Sequence, residues 1–301
     1  VYAAGLLVVF AGMVGVGRLA GPVSTAAPRP ADHGSASGAG LAGEVPGGLQ
    51  VAQAGFRLQP LTAMLAVGVP AEFAFRIVDA AGAPVTGYTP THERDLHLIV
   101  VRRDLSGFQH VHPSLGADGV WRIPLAVAAP GQYRAFADFQ PAARAKSLTL
   151  GVDLPAPGDY VPVPLPAPAR TANVDGYTVD LAGDLTAGAA SRLTLRISRD
   201  GRPVTDLEPY LGAYGHLVAL RDGDLAYLHV HPDGGPGGGR TASGPEVAFH
   251  AEVPSAGAYR LYLDFQHAGR VHTAEFTAIA TERGAVQPTG TGHDTGHGEH
   301  N

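Results

Sequence analysis

The sequence repeats itself. Pro84-Val85-Thr86 returns as Pro203-Val204-Thr205, Pro90 as Pro209, and His97-Leu98 as His216-Leu217, all 119 residues apart. His110-Val111-His112-Pro113 returns at the same spacing as His229-Val230-His231-Pro232. Further on, "PGQYRAFADFQ" (130–140) returns as "AGAYRLYLDFQ" (256–266), where the spacing has grown to 126. The extra residues fall in "DGGPGGGRTASG" (233–244), a glycine-rich loop where added length costs little. Such a duplication halves the folding problem. What one half becomes, the other becomes too, and a chemical site in one has a counterpart in the other.

Each half reads as β. Phe73, Phe75 and Ile77 alternate with Ala74, Arg76 and Val78, and Leu193, Leu195 and Ile197 with Thr194, Arg196 and Ser198. Short runs of this kind recur between Gly, Pro and Asp turns, and no helical period appears outside the N-terminus. The expected architecture is all-β: two tandem immunoglobulin-like β-sandwich domains, at 51–153 and 172–280. Between them, residues 154–171 form a proline-rich linker; six prolines fall in 155–170, which favours an extended chain.

The ends differ in character. "VYAAGLLVVFAGMVGVG" carries no charge before Arg18, so 1–21 reads as a signal or membrane-anchoring segment, with Ser24-Thr25-Ala26 as a cleavage candidate. Residues 22–50 read as a flexible spacer and 281–301 as a disordered His/Gly-rich tail. These features point to an extracytoplasmic location, membrane-anchored or secreted.

The histidines carry the chemistry. Asp222-Gly223 is a strong two-residue hairpin signal, and counting back from it pairs His216 with His229. His231, two residues on, shares the face of His229. The same spacing in the first half brings His97, His110 and His112 together. Three neutral imidazoles with one open position suit Zn2+ or Cu2+. The expected metal ligands are therefore His97, His110 and His112 in one domain and His216, His229 and His231 in the other. The competing reading makes them buried, hydrogen-bonded structural histidines, since a duplicated domain repeats its packing as faithfully as its ligands. His250, His267 and His272 are candidate additional ligands of the second domain; His92 also lacks a counterpart in the other half. His33, His293, His297 and His300 stand in polar, low-complexity surroundings. Arg134 with Asp138, and Arg260 with Asp264, share a strand face and are expected as surface ion pairs, with an imidazole-orienting role for the aspartates as the alternative.

Composition removes other chemistries. The absence of cysteine excludes disulfides, thiolate ligands and cysteine nucleophiles, and two methionines cannot form a methionine relay. A net charge of −6 gives no footprint for nucleic acid. There is no Gly-x-Ser-x-Gly, phosphate loop or acid/base carboxylate pair, so a non-enzyme is expected.

The stretches "HLIVVRRDLSGFQHVHPSLGADG", "APGQYRAFADFQP", "PYLGAYGHLVALRDGDLAYLHVHP" and "FHAEVPSAGAYRLYLDFQHAGRVHTAEF" resemble a family of exported or membrane-anchored bacterial proteins with duplicated His-x-His-Pro domains. The resemblance runs from the apolar N-terminus to about residue 280. It implies an association with copper or other heavy-metal handling, and carries no established catalytic residues. The expected function is extracytoplasmic Cu2+ or Zn2+ buffering or transfer. The expected partners are the metal ion, an envelope metal-handling protein and, through the N-terminal segment, the membrane. The alternative is a non-enzymatic structural or interaction module of the cell envelope.

Overall fold

The computed structural model describes residues 45–236 and 241–284; of His229 and His231 it describes the backbone alone. The segment at 1–21, most of the spacer and the tail from 285 lie outside the described residues. Among the described residues no helix is long and apolar enough to cross a membrane.

The protein is all-β, two immunoglobulin-like sandwiches in tandem. In the first, Phe56–Pro60, Ala71–Val78 and Trp121–Leu125 dominate one sheet, and Leu96–Arg102, Gly131–Phe139 and Leu148–Ala156 the other. In the second, Tyr177–Ala182, Ala190–Arg199 and Glu246–Glu252 face His216–Arg221, Gly257–His267 and Arg270–Thr281. Each sandwich closes over its own apolar core. Phe73, Phe75, Trp121 and Phe139 fill the first, and Phe249, Tyr259, Leu261 and Phe276 the second.

A third apolar cluster joins the halves. Ile99, Val101, Leu105 and Phe136 of the first meet Val218, Leu220, Leu225, Tyr227 and Tyr262 of the second. The strand Leu96–Arg102 is consequently buried along its whole length. One of its faces looks into its own sandwich and the other into the partner sandwich, the situation in which a strand reads as a continuous apolar run.

This seam overturns the expected surface ion pairs. Arg134 and Asp138, like Arg260 and Asp264, are buried and do not pair with each other. The Arg134 guanidinium reaches Asp153 at 2.8 Å and the carbonyls of Gly48 and Leu49 at 2.6 and 3.0 Å, while Arg260 turns to Glu275 at 2.5 Å. The face taken for solvent-exposed is covered by the other half.

Residues 45–50, expected within a flexible spacer, belong to the fold. The Gly48 amide donates to Thr149 O in the first sandwich, and the Tyr227 amide of the second donates to Gly47 O. Gly48 sits at φ +73, where a Cβ would fall 2.4 Å from the Phe136 ring. Glycine is required there by conformation and by space. The proline-rich connection also lies along the molecule: the Val163 amide donates to Asp104 at 2.8 Å, and Leu165 packs on the seam.

Candidate metal centre

The hairpin register differs from the expected one by two residues. His229 lies across from Val218 rather than His216, and His110 across from Ile99 rather than His97. The cause is in the turns. The second hairpin closes with the Arg221 amide on Ala226 O around four residues, Asp222 to Leu225, instead of a two-residue Asp-Gly turn. Leu225 takes a positive φ of 62° and is fully buried in the seam, and the Asp224 carboxylate holds Arg221 at 3.0 Å. Leu105, at φ 64° and 3% exposure, does the same in the first half. Burying that leucine outweighs local turn preference. A slip of two leaves every side chain on its original face, where a slip of one would have scattered them.

The first triad therefore still converges. His97 Nδ1 lies 3.0 Å from His110 Nε2 and 3.1 Å from His112 Nε2, and the ligand atoms of all three rings lie within 4.8 Å of one another. Ring centroids are 4.9–5.2 Å apart.

The outward nitrogens determine the protonation of the inward ones. His97 Nε2 is 2.9 Å from Thr91 O, and a carbonyl can only accept, so Nε2 carries the proton. His110 Nδ1 is 2.8 Å from the Asp264 carboxylate, whose other oxygen accepts from Thr273 Oγ1 at 2.6 Å, so Nδ1 carries the proton there. In the neutral rings this leaves lone pairs on His97 Nδ1 and His110 Nε2, the two atoms that face each other at 3.0 Å. Two acceptors at that distance repel unless a metal ion or a proton lies between them.

Burial sets the electrostatics. It pushes His97 down to about 4, opposed by the Thr91 carbonyl and reinforced by His110. It pushes His112 down to about 3, with His110, His97 and Arg94 adding to the effect. Both rings are neutral near pH 7 and offer lone pairs.

The centre belongs to both halves. Asp264, which orients His110, comes from the second sandwich, where it stands across from His216 in the strand register. His216 repeats His97: buried, its Nε2 on Tyr210 O at 2.8 Å, and pushed down to about 4 by burial. The side chains of His229 and His231 lie outside the described residues. The His231 backbone pairs with His250 in the opposite sheet.

Of the additional candidates, none joins the triad. His272 binds Asp175 at 2.7 Å, His267 meets Tyr177 and Asp206, and His250 lies 3.7 Å from Asp233. The histidine that sequence reasoning passed over is His92. Its ring stands 6.0 Å from that of His97 and 5.2 Å from that of His216. Its signal was positional: it follows Thr91, whose carbonyl holds His97. A cavity of about 30 Å³ in the seam is lined by His92, His97, His110, His216, Asp138 and Tyr227 among others.

The family model described as "Domain of unknown function (DUF8832)" matches residues 50–156 and again 172–282. The chain belongs to this family. The two DUF8832 segments each span one sandwich, so the seam and its histidines lie between two copies of one family domain. No curated protein matches the chain. Among solved structures, the adhesin InvE of Yersinia pseudotuberculosis is 12% identical over 74% of this chain and 58% of its own, with a TM-score of 0.23. Escherichia coli alpha-2-macroglobulin is 13% identical over 76% and 24%, at 0.24. Domains 4 and 5 of the S-layer protein SbsC are 10% identical over 77% and 98%, at 0.21. The chain thus spans just over half of InvE and about a quarter of the macroglobulin. Superpositions this loose say nothing of function.

Proposed function

We propose that the protein binds a divalent transition-metal ion, Cu2+ or Zn2+, through His97, His110 and His112, and serves extracytoplasmic metal buffering or transfer without catalysing a reaction. The observation that carries this is the convergence of His97 Nδ1, His110 Nε2 and His112 Nε2, all within 4.8 Å of one another. Bonds of about 2.0–2.1 Å at a tetrahedral angle separate two ligand nitrogens by roughly 3.3–3.4 Å. The observed 3.0 and 3.1 Å need only a few tenths of an ångström of adjustment. The outward partners, a backbone carbonyl and a carboxylate, are those that usually orient metal-bound imidazoles. The apolar N-terminal segment supports a site outside the cytoplasm.

A second reading has its own support. A proton held on His110 over Asp264 and shared with His97 Nδ1 fits the same distances, and His110–Asp264 ties the two sandwiches together. The histidines would then be structural, and the protein an interaction module of the envelope. Titration of the metal-free chain with Cu2+ and Zn2+ separates the two. His33, His293, His297 and His300 are first replaced by Ala so that they do not contribute. An equivalent that the parent binds and His110→Ala/His112→Ala does not supports the metal centre; equal binding by parent and variant, or none, refutes it.

A further inference from the structure

We propose that the seam holds a second divalent transition-metal position, built on His216 of the second sandwich and His92 of the first, beside the triad. It goes beyond the triad reading because its ligand set is separate.

His216 reproduces His97 in strand register, backbone hydrogen bond and burial. Each lies across from an aspartate on the neighbouring strand, Asp264 for His216 and Asp138 for His97. Each donates Nε2–H to the carbonyl of the residue six positions earlier, Tyr210 or Thr91, which leaves Nδ1 as a lone pair in the neutral ring. In the first half that Nδ1 is the atom on which the triad converges. The duplication carries the surroundings across too. His229 stands across from Val218 as His110 stands across from Ile99, and Asp138 holds the place of Asp264.

The two halves then part company. The strand bearing His110 ends at Val111 and the chain joins the opposite sheet at Ser114, whereas in the second half the backbone has joined that sheet by His231, beside His250. His92 stands near His216. Its ring centroid is 5.2 Å from that of His216, within the range found among the triad rings. His92 occupies a turn, at φ 47°, whose counterpart in the second half carries Leu211 at φ 51°. Leucine cannot ligate, so the second position draws one ligand from each half, an asymmetry the repeat alone does not produce. Both rings line the seam cavity with Asp138, and its volume of about 30 Å³ suits one water-sized or ionic occupant rather than an organic ligand. The His110 and His216 centroids lie 6.3 Å apart, so the two positions are close neighbours.

The test uses the full chain with His33, His293, His297 and His300 replaced by Ala, metal-free, titrated with Cu2+. Stoichiometry is read by native mass spectrometry and spin coupling by electron paramagnetic resonance. The expected result is two equivalents, with a half-field signal appearing as the second binds. His92→Ala/His216→Ala should keep one equivalent and lose the half-field signal; the retained equivalent shows that the seam is intact. His92→Leu, which installs the residue the other half uses at that turn, should weaken the second equivalent by about tenfold or more and spare the first. One equivalent in the parent, or two in His92→Ala/His216→Ala, overturns the second position and leaves the triad standing. No binding in the parent overturns both.

Discussion

Tyr262 is the side chain on which the union of the two sandwiches depends most directly. It is fully buried, its ring stacks on Phe108 of the other half at 3.9 Å and 7°, and its hydroxyl donates to Leu105 O at 2.6 Å. Removing the hydroxyl alone, in Tyr262→Phe, leaves a buried carbonyl without that donor and should cost about 1–3 kcal/mol. Tyr262→Ala adds a cavity, for which large aromatic deletions cost about 3–5 kcal/mol, and the lost stack, about 0.5–1.5 kcal/mol. Cavity and stack together, about 3.5–6.5 kcal/mol, approach the whole stability of many domains, about 5–15 kcal/mol. Because the loss falls on the seam rather than within one core, its effect should be separation. The parent should unfold in one calorimetric transition, and Tyr262→Ala in two, each domain melting on its own core. If Tyr262→Ala melts in a single transition within a degree or two of the parent, the seam does not couple the halves. The case for a centre shared between them then fails with it.

Acid should destabilise the metal-free protein. The folded chain holds His97 and His216 near 4, whereas an unfolded histidine titrates near 6.5, so the unfolded state binds more protons between those values. Stability should be undiminished above about pH 6.5 and fall as pH drops toward 4; at pH 5 each ring costs roughly 2 kcal/mol, visible as a lower urea midpoint. An unchanged or higher midpoint at pH 5 than at pH 7.5 contradicts the burial assigned to these rings. Asp264→Asn, which exchanges the carboxylate orienting His110 for an amide, should weaken metal binding by about 10–100-fold in a competition titration. Gly48→Ala, forced against Phe136 at a positive φ, should lower stability by about 1–3 kcal/mol in urea unfolding while both sandwiches keep their far-ultraviolet spectrum.

Local sequence alone was enough for the secondary structure and for the common face of His97, His110 and His112. Period-two alternation is local, and the spacings 97–110–112 and 216–229–231 put those residues on common faces under any register differing by an even number. The triad survived a two-residue slip for that reason. The slip itself was beyond local reading, because it follows from Leu105 and Leu225 turning into a surface that exists only once the second sandwich is in place. One signal of that surface was present. "LHLIVV" (96–101) is apolar on both faces apart from its histidine, which an outer face open to water does not require. The company the histidines keep follows from tertiary packing alone. Asp264 orients His110 from 154 residues away, and His92 lies beside His216 from the other half. Those meetings depend on how two finished surfaces fit, and surface complementarity has no period along the chain.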